Sequence, residues 1–392
     1  MKKILTVFLV TTVVSLTAHF FPNINIESFA YTPAPQKSKV INDLYEPDET
    51  VDYSKTVEDA FSNTNNNKVE NYTLSKEISS KTDWQKAINY CIDNLVEEVS
   101  FEIKNFDEDT YNLKSLNLIN ASISAEGKVK QDVAEVTYKF SYKENYLLNK
   151  AAQNKNYLSK LTSDQLILFN KVKSITNNLI SNKITDFEKE QAIHDYIVAN
   201  SKYSQNINKD SYTIRNLIYN GSGVCEAYAY TFQMMCTFAN INCEIITGKL
   251  NGQEHGWNIV QLDGEYYHID VTSDDPVPDK DGQILYKFFN VTDKEISKTH
   301  TWNTEDFPKC VATKYNYFVY NNLVVTSKDE MEKLIMRKID NGETEIYFYV
   351  SGFEVSGASD FKFCNNGEKN ISSFYLVGSK SGAFLLEPRY VK

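Results

Sequence analysis

The apolar positions of this chain change their rhythm several times, and each change predicts an element. Lys2 and Lys3 precede an unbroken apolar run from Ile4 to Leu16, and Ser28-Phe29-Ala30 follows with small residues. That order predicts an export signal covering residues 1–30. An uncleaved anchor is the alternative, because apolar character continues nearly to Phe21 and about 20 residues span a bilayer. Residues 31–71 then lose apolar spacing and become rich in Asn, Thr, Ser, Asp and Glu, with a run at Asn65-Asn66-Asn67. Such a segment cannot bury enough apolar surface to offset the entropy of ordering, which predicts a flexible linker.

A helix-then-strand pattern follows twice. Residues 80–107 and 327–354 align without a gap, with identities that include Ser80/Ser327, Ile88/Ile335, Asp93/Asp340, Phe101/Phe348 and Phe106/Phe353. Each copy ends in an alternating strand, VSFEI or IYFYV. The copies predict two small α/β domains, at 72–150 and 311–392, on either side of a central segment at 151–310. Within that segment Leu161, Leu168, Val172, Ile175 and Leu179 recur at helical spacing behind a Thr162/Gln165 capping box. A second helix starts at Thr185-Asp186 with Glu188 completing its box, and a third ends at Asn220-Gly221.

Composition adds exclusions. The formal net charge is −11 and no basic stripe interrupts it, which argues against a nucleic-acid partner. No stretch after the first is apolar and long enough to predict a membrane span, so a membrane role would rest on the signal anchor alone. The six cysteines contain no C-x-x-C pair, so neither a zinc ribbon nor a disulfide framework is predicted. An oxidising exterior would still allow a Cys91–Cys364 or Cys310–Cys364 bridge.

The chemistry concentrates in two strings. GSGVCEAYAYTFQMMCTFAN places Cys225 after two glycines and in the first turn of an amphipathic helix, with Asn240 as terminator. A thiol there faces free amide hydrogens and the positive end of the helix dipole, which favour the thiolate. Gly223 would let a substrate backbone approach closely, and the Tyr219–Gly223 approach is expected to hold a second oxyanion donor. Cys236 and Cys243 read as buried. The second string, EHGWNIVQLDGEYYHIDVT, reads as a hairpin turning at Asp263-Gly264. A type I′ turn pairs Leu262 with Glu265 and puts His255, Trp257, His268 and Asp270 on one face. His255 and Asp270 then become diagonal neighbours whose side chains can meet. Cys225 as nucleophile, His255 as base and Asp270 as orienting acid would form a triad. Trp257 would wall the cleft or serve in core packing, and His268 would be a buried structural histidine or support Asp270 from behind. A metal set of Cys225, His255, His268 and Asp270 is the alternative. Asp274 and Asp275 are expected to shape the turn into Pro276, and neither His194 nor His300 is given a role.

GVCEAYAYTF, HGWNIV and DG-YYHIDVTSDDP, in that order, resemble bacterial transglutaminase-like domains, including those named for a cytokinesis protein. Similarity is closest over residues 185–290. The resemblance implies an α+β, papain-like core, with a cysteine-bearing helix packed on an antiparallel sheet, and assigns Cys225, His255 and Asp270 the roles above. Ser273 departs from it, since relatives often carry Trp there. No cofactor is implied. The expected function is cysteine-dependent acyl transfer on peptide or protein amides outside the cell, as peptidase, amidase or crosslinker, with a cell-wall or surface polymer as possible substrate. A surface binding or scaffolding module on the same fold is the alternative.

Overall fold

The computed structural model describes residues 73–390, apart from 108, 114–115, 117–119, 131, 184, 278, 281, 357–359, 362–370 and 379–380. The expected signal and linker therefore lie outside the described residues, as does Cys364. Among the described residues no helix is long and apolar enough to cross a membrane. Helices and strands are mixed, in an α+β arrangement.

Contacts divide the described residues into two units, 73–193 with 204–242, and 194–203 with 243 onward. The first begins with strand β1 (Glu77–Ile78), helix α1 (Lys81–Asp93) and strands β2 (Glu98–Lys104), β3 (Ala121–Lys130) and β4 (Val133–Tyr142). The sheet runs β1-β2-β4-β3, with β1 parallel to β2 and the other pairs antiparallel. Ser80 caps α1 by accepting the Asp83 amide hydrogen, which satisfies one orphan donor of the first turn. Spacing by three and four then aims Trp84, Ala87, Ile88 and Cys91 at the sheet, where they meet Phe101, Ile103, Val136 and Tyr138. The Trp84 indole N–H donates to the Tyr138 hydroxyl at 3.0 Å.

Helices α2 (Glu144–Gln153), α3 (Ser163–Ile180) and α4 (Asp186–Asn200) follow, then β5 (Lys202–Tyr203), α5 (Ile214–Asn220), β6 (Ser222–Gly223) and α6 (Cys225–Phe238). Both expected capping boxes are formed, Thr162 with Gln165 and Thr185 with Glu188. Gly221 ends α5 in the left-handed region at φ 58°, a conformation that costs glycine little. Helix α6 is the centre of its unit. Its residues Ala227 to Phe232 and Met234 to Cys236 are buried, against α2, α3 and α5. Buried Asn149 of α2 donates to the Tyr230 carbonyl at 3.2 Å, and Phe169 of α3 meets Phe238 edge-on at 5.2 Å.

The second unit holds a sheet of β7 (Asn242–Leu250), β8 (Gln253–Leu262), β9 (Glu265–Ile269) and β10 (His300–Trp302), ordered β10-β7-β8-β9, with the short helix α7 (Asp293–Ile296) before β10. After α8 (Tyr317–Tyr320) come β11 (Val324–Val325), α9 (Lys328–Asp340), β12 (Ile346–Val350), β13 (Ile371–Val377) and β14 (Gly382–Tyr390). This last sheet runs β11-β12-β14-β13, again with one parallel pair at the start and antiparallel pairs after it. It repeats the strand order of β1-β2-β4-β3. Ser327 caps α9 as Ser80 caps α1, and Phe348 is buried on β12 as Phe101 is on β2. The paired sequence copies are thus the helix-strand cores of two like sheets.

Candidate active site

The β8–β9 hairpin sets the geometry. Asp263 and Gly264 both have positive φ, 51° and 83°, as a type I′ turn requires. Leu262 pairs with Glu265 and Ile259 with His268, so no bulge disturbs the alternation expected from the sequence. The ladder stops at Asn258↔Ile269, and Asp270 follows directly. Its Oδ2 lies 2.9 Å from His255 Nε2. An ionised carboxylate only accepts, so Nε2 carries the proton. The imidazole of His255 is nearly parallel to the indole of Trp257, at 6.0 Å and 18°.

Asp270 is fully buried and accepts from more than one histidine. His300 Nε2 lies 3.0 Å from the same Oδ2. The Ser273 hydroxyl donates to Oδ2 as well, and the Ser273 amide donates to Oδ1 at 3.2 Å. Burial opposes a charge on Asp270, but His255 and His300, through charge and hydrogen bonds, outweigh it and hold the carboxyl well below its usual range. Sequence reasoning missed His300. It enters through β10, whose His300 pairs with Leu250 of β7, a register that no local pattern announces. Ser273, noted only as a departure from the family pattern, is here a donor to the carboxylate.

His268 is the buried structural histidine of the two readings and does not support Asp270. Its Nδ1 accepts the Trp257 indole hydrogen at 3.1 Å and its Nε2 faces Asp293 Oδ1 at 2.8 Å. Both ring nitrogens are thus turned to Trp257 and Asp293, not to Asp270. The reason is reach: on the ladder His268 stands opposite Ile259, and the nearest partners on its face are Trp257 and the start of α7. The Cys310 amide donates to the same Asp293 oxygen at 3.2 Å. Burial pushes His268 down in spite of Asp293, and burial with the nearby Asp293 pushes the Cys310 thiol up. Because Nδ1 accepts, Nε2 must keep its hydrogen, so this cluster reads as a hydrogen-bond chain and not a ligand set. His268 does not converge with His255 and Asp270, so the metal set considered from the sequence is not brought together. Trp257 itself is buried, 1% exposed, and meets Trp302 edge-on at 5.9 Å.

In the other unit Cys225 is the first residue of α6, behind Val224 as N-cap. It carries a free, partly exposed thiol, whereas Cys91, Cys236 and Cys310 are free and buried. Cys225 opens a helix of fourteen residues, with the positive end of the helix dipole at its amide. Gly223 is buried. A Cβ there would lie 2.8 Å from Ala227 Cβ and 2.9 Å from Leu217 Cδ1, so close packing accounts for this glycine. Tyr219 is exposed, with Lys171 Nζ 4.6 Å from its ring centre.

His194 and Asp274 form a buried pair outside the candidate site. His194 Nδ1 faces Asp195 at 2.9 Å and its Nε2 faces Asp274 at 3.3 Å. Asp274 also accepts the Phe288 amide hydrogen at 2.9 Å, tying the segment after Asp270 to the turn at 287–290.

Residues 173–271 match the family model of the transglutaminase-like superfamily, and Cys225, His255 and Asp270 all fall inside the match. The human kyphoscoliosis peptidase is 24% identical over 114 residues, which are 25% of this chain and 17% of the relative. The chain thus spans less than a fifth of that relative's length. Among solved structures, similarity is found to a candidate cysteine protease from Cytophaga hutchinsonii, at 16% identity over 48% of this chain and 75% of the other, with a TM-score of 0.25. The periplasmic domain of TgpA from Pseudomonas aeruginosa is 10% identical over 45% of this chain and 69% of that one, with a TM-score of 0.24.

Proposed function

We propose that this transglutaminase-like domain is a cysteine-dependent acyl-transfer enzyme acting on peptide or protein amides, with Cys225 as nucleophile, His255 as base and Asp270 as the orienting acid. The observation that carries the reading is the His255 Nε2–Asp270 Oδ2 hydrogen bond at 2.9 Å, the contact by which an orienting acid holds a catalytic base. The partly exposed Cys225 at the head of α6 and the family match across all three residues support it.

In this mechanism His255 takes the Cys225 proton and the thiolate attacks the amide carbonyl carbon. The C–N bond breaks as His255 returns the proton to the departing amine or ammonia. The acyl-thioester then passes to water, giving hydrolysis, or to a second amine, giving a crosslink. Asp270, buried and held ionised, keeps His255 in the required tautomer and stabilises its cation. How well water is kept out decides the acceptor.

The charged-then-apolar start of the chain supports export, and an exported enzyme of this type would meet surface proteins or cell-wall peptides as acyl donors. The net charge of −11 disfavours nucleic acid as a partner. The repeated strand order of the two outer sheets supports three domains, at 72–150, 151–310 and 311–392, the outer two arising by duplication.

The test is the pH dependence of iodoacetamide labelling at Cys225, followed by mass spectrometry in the wild type and in His255→Ala. Rapid labelling of Cys225 near pH 6 that is lost in the variant is the expected result. Labelling that rises only near the ordinary thiol value of about 8.5, equally in both proteins, would instead favour a binding module on an idle fold.

A further inference from the structure

The carboxylate of Asp270 is not the private partner of His255. His255 Nε2 and His300 Nε2 approach one oxygen, Oδ2, at 2.9 and 3.0 Å. His300 reaches it from β10, at the opposite end of the β7–β8–β9 order from the strand that delivers Asp270. Its position is fixed on every side. The ring is fully buried, edge-on to Trp257 at 4.9 Å and to Phe288 at 5.2 Å, and the Thr299 hydroxyl lies 2.9 Å from its Nδ1. A buried histidine aimed at a buried carboxylate is expensive to desolvate. A merely structural β10 could carry an apolar residue at this point and lose nothing in packing.

We propose that His300 is a positioning residue of the candidate active site: it donates its Nε2–H to Asp270 alongside His255, and so fixes the oxygen against which the His255 ring is oriented. The proposal rests on the triad reading for its link to catalysis, while the shared carboxylate stands on the geometry alone. Two hydrogen bonds to one oxygen from rings on different strands leave Oδ2 a single position. With the Ser273 amide holding Oδ1 at 3.2 Å, the carboxyl plane can neither rotate nor tip. Removal of His300 leaves Oδ2 to His255 and the Ser273 hydroxyl, loosens that hold, and lets the His255 ring shift with the carboxylate.

The experiment uses the full chain with 15N-labelled histidine and reads imidazole N–H protons downfield of the amide envelope, together with Cys225 labelling by iodoacetamide at pH 6. The protons of His255 and His300 are expected among these signals and are expected to vanish in Asp270→Asn, while those of His268 on Asp293 and His194 on Asp195 and Asp274 remain. His300→Phe, which suits the aromatic surroundings, is expected to lose one signal and to slow Cys225 labelling about tenfold, the scale on which small misplacements cost rate. His300→Gln, whose amide can reach Oδ2, is expected to restore labelling to within about threefold of wild type. If the Phe variant does not fold, His300→Asn takes its place, being polar but too short to reach Asp270. Wild-type labelling rates in His300→Phe, or equal losses in the Phe and Gln variants, would overturn the positioning role. A failure of the triad reading looks different: Cys225 labelling would be slow and indifferent to His255→Ala, while the two shared N–H signals would still be present.

Discussion

The indole N–H of Trp257 donates to Nδ1 of His268 at 3.1 Å, and that single bond fixes the orientation of the ring lying against His255. His268 is itself held by Asp293 at 2.8 Å, so a chain of hydrogen bonds runs from the start of α7 to the plane of the indole. Trp257 is therefore more than apolar filling: its flat face, 6.0 Å from the His255 ring and tilted by 18°, limits where that imidazole can turn.

Trp257→Phe keeps an aromatic face but leaves His268 Nδ1 buried without its donor. We expect a loss of about 1–3 kcal/mol in folding stability, the cost of an unmet buried acceptor plus lost packing. Urea denaturation followed by far-UV circular dichroism measures it. A midpoint equal to wild type would show that the bond contributes nothing.

Asp270→Asn removes the negative charge while nearly conserving shape. With the carboxylate gone, the His255 cation loses the stabilisation that Asp270 gave it, and Cys225 labelling at pH 6 should fall at least tenfold. Competition labelling with light and heavy iodoacetamide gives the ratio directly, and rates within a factor of two of wild type would remove Asp270 from the proposed triad.

Gly223→Ala tests packing at the head of α6. The added Cβ meets Ala227 Cβ at 2.8 Å and Leu217 Cδ1 at 2.9 Å, so the chain must shift to admit it. A destabilisation of about 1–3 kcal/mol is expected, as for other overpacked positions. Thermal unfolding would detect it as a lower Tm; a neutral result would mean that the loop before Cys225 yields freely.

The buried His194 pair predicts a pH dependence of stability. Burial opposes charge on His194, but hydrogen bonds and charge from Asp195 and Asp274 outweigh it and hold the ring up to about 9, against an ordinary 6.5. A raised histidine stabilises the fold fully below 6.5, and the contribution is lost as pH climbs towards 9. Burial lifts Asp274 to about 6 despite the bonds from His194 and the Phe288 amide, and that group too costs stability as pH rises, here from its ordinary 3.8 to 6. Wild-type stability should accordingly decline between pH 6.5 and 9, and His194→Gln should flatten the decline. Parallel slopes for the two proteins over that interval would show that the pair stays neutral.

Much of the fold was legible because its causes are local. Capping boxes at Thr162 and Thr185, the stop at Gly221 and the type I′ turn at Asp263-Gly264 each depend on residues within four positions of one another, so the sequence states them outright. The hairpin then carries the alternation of faces to His255 and Asp270, whose meeting needs only the turn and the period of two. The ten identities between residues 80–107 and 327–354 pointed in the same way to two like helix-strand units, because capping and core positions are set within each copy.

What the tertiary structure alone decided is which distant groups share a buried charge. His300 joins Asp270 through the pairing of β10 with β7, fifty residues earlier in the chain, and nothing in His-Thr-Trp marks that register. Asp293 and Cys310 gather on His268, and Asp274 turns inward to His194, for the same reason. Strand pairing and burial are settled by the summed packing of the whole sheet, whereas a turn or a cap is settled where it stands. The sequence by itself determined the hairpin, the helix that presents Cys225 and the candidate residues on them. Only the assembled sheet decided that Asp270 would serve two histidines, and that His268 would answer to Trp257 and Asp293.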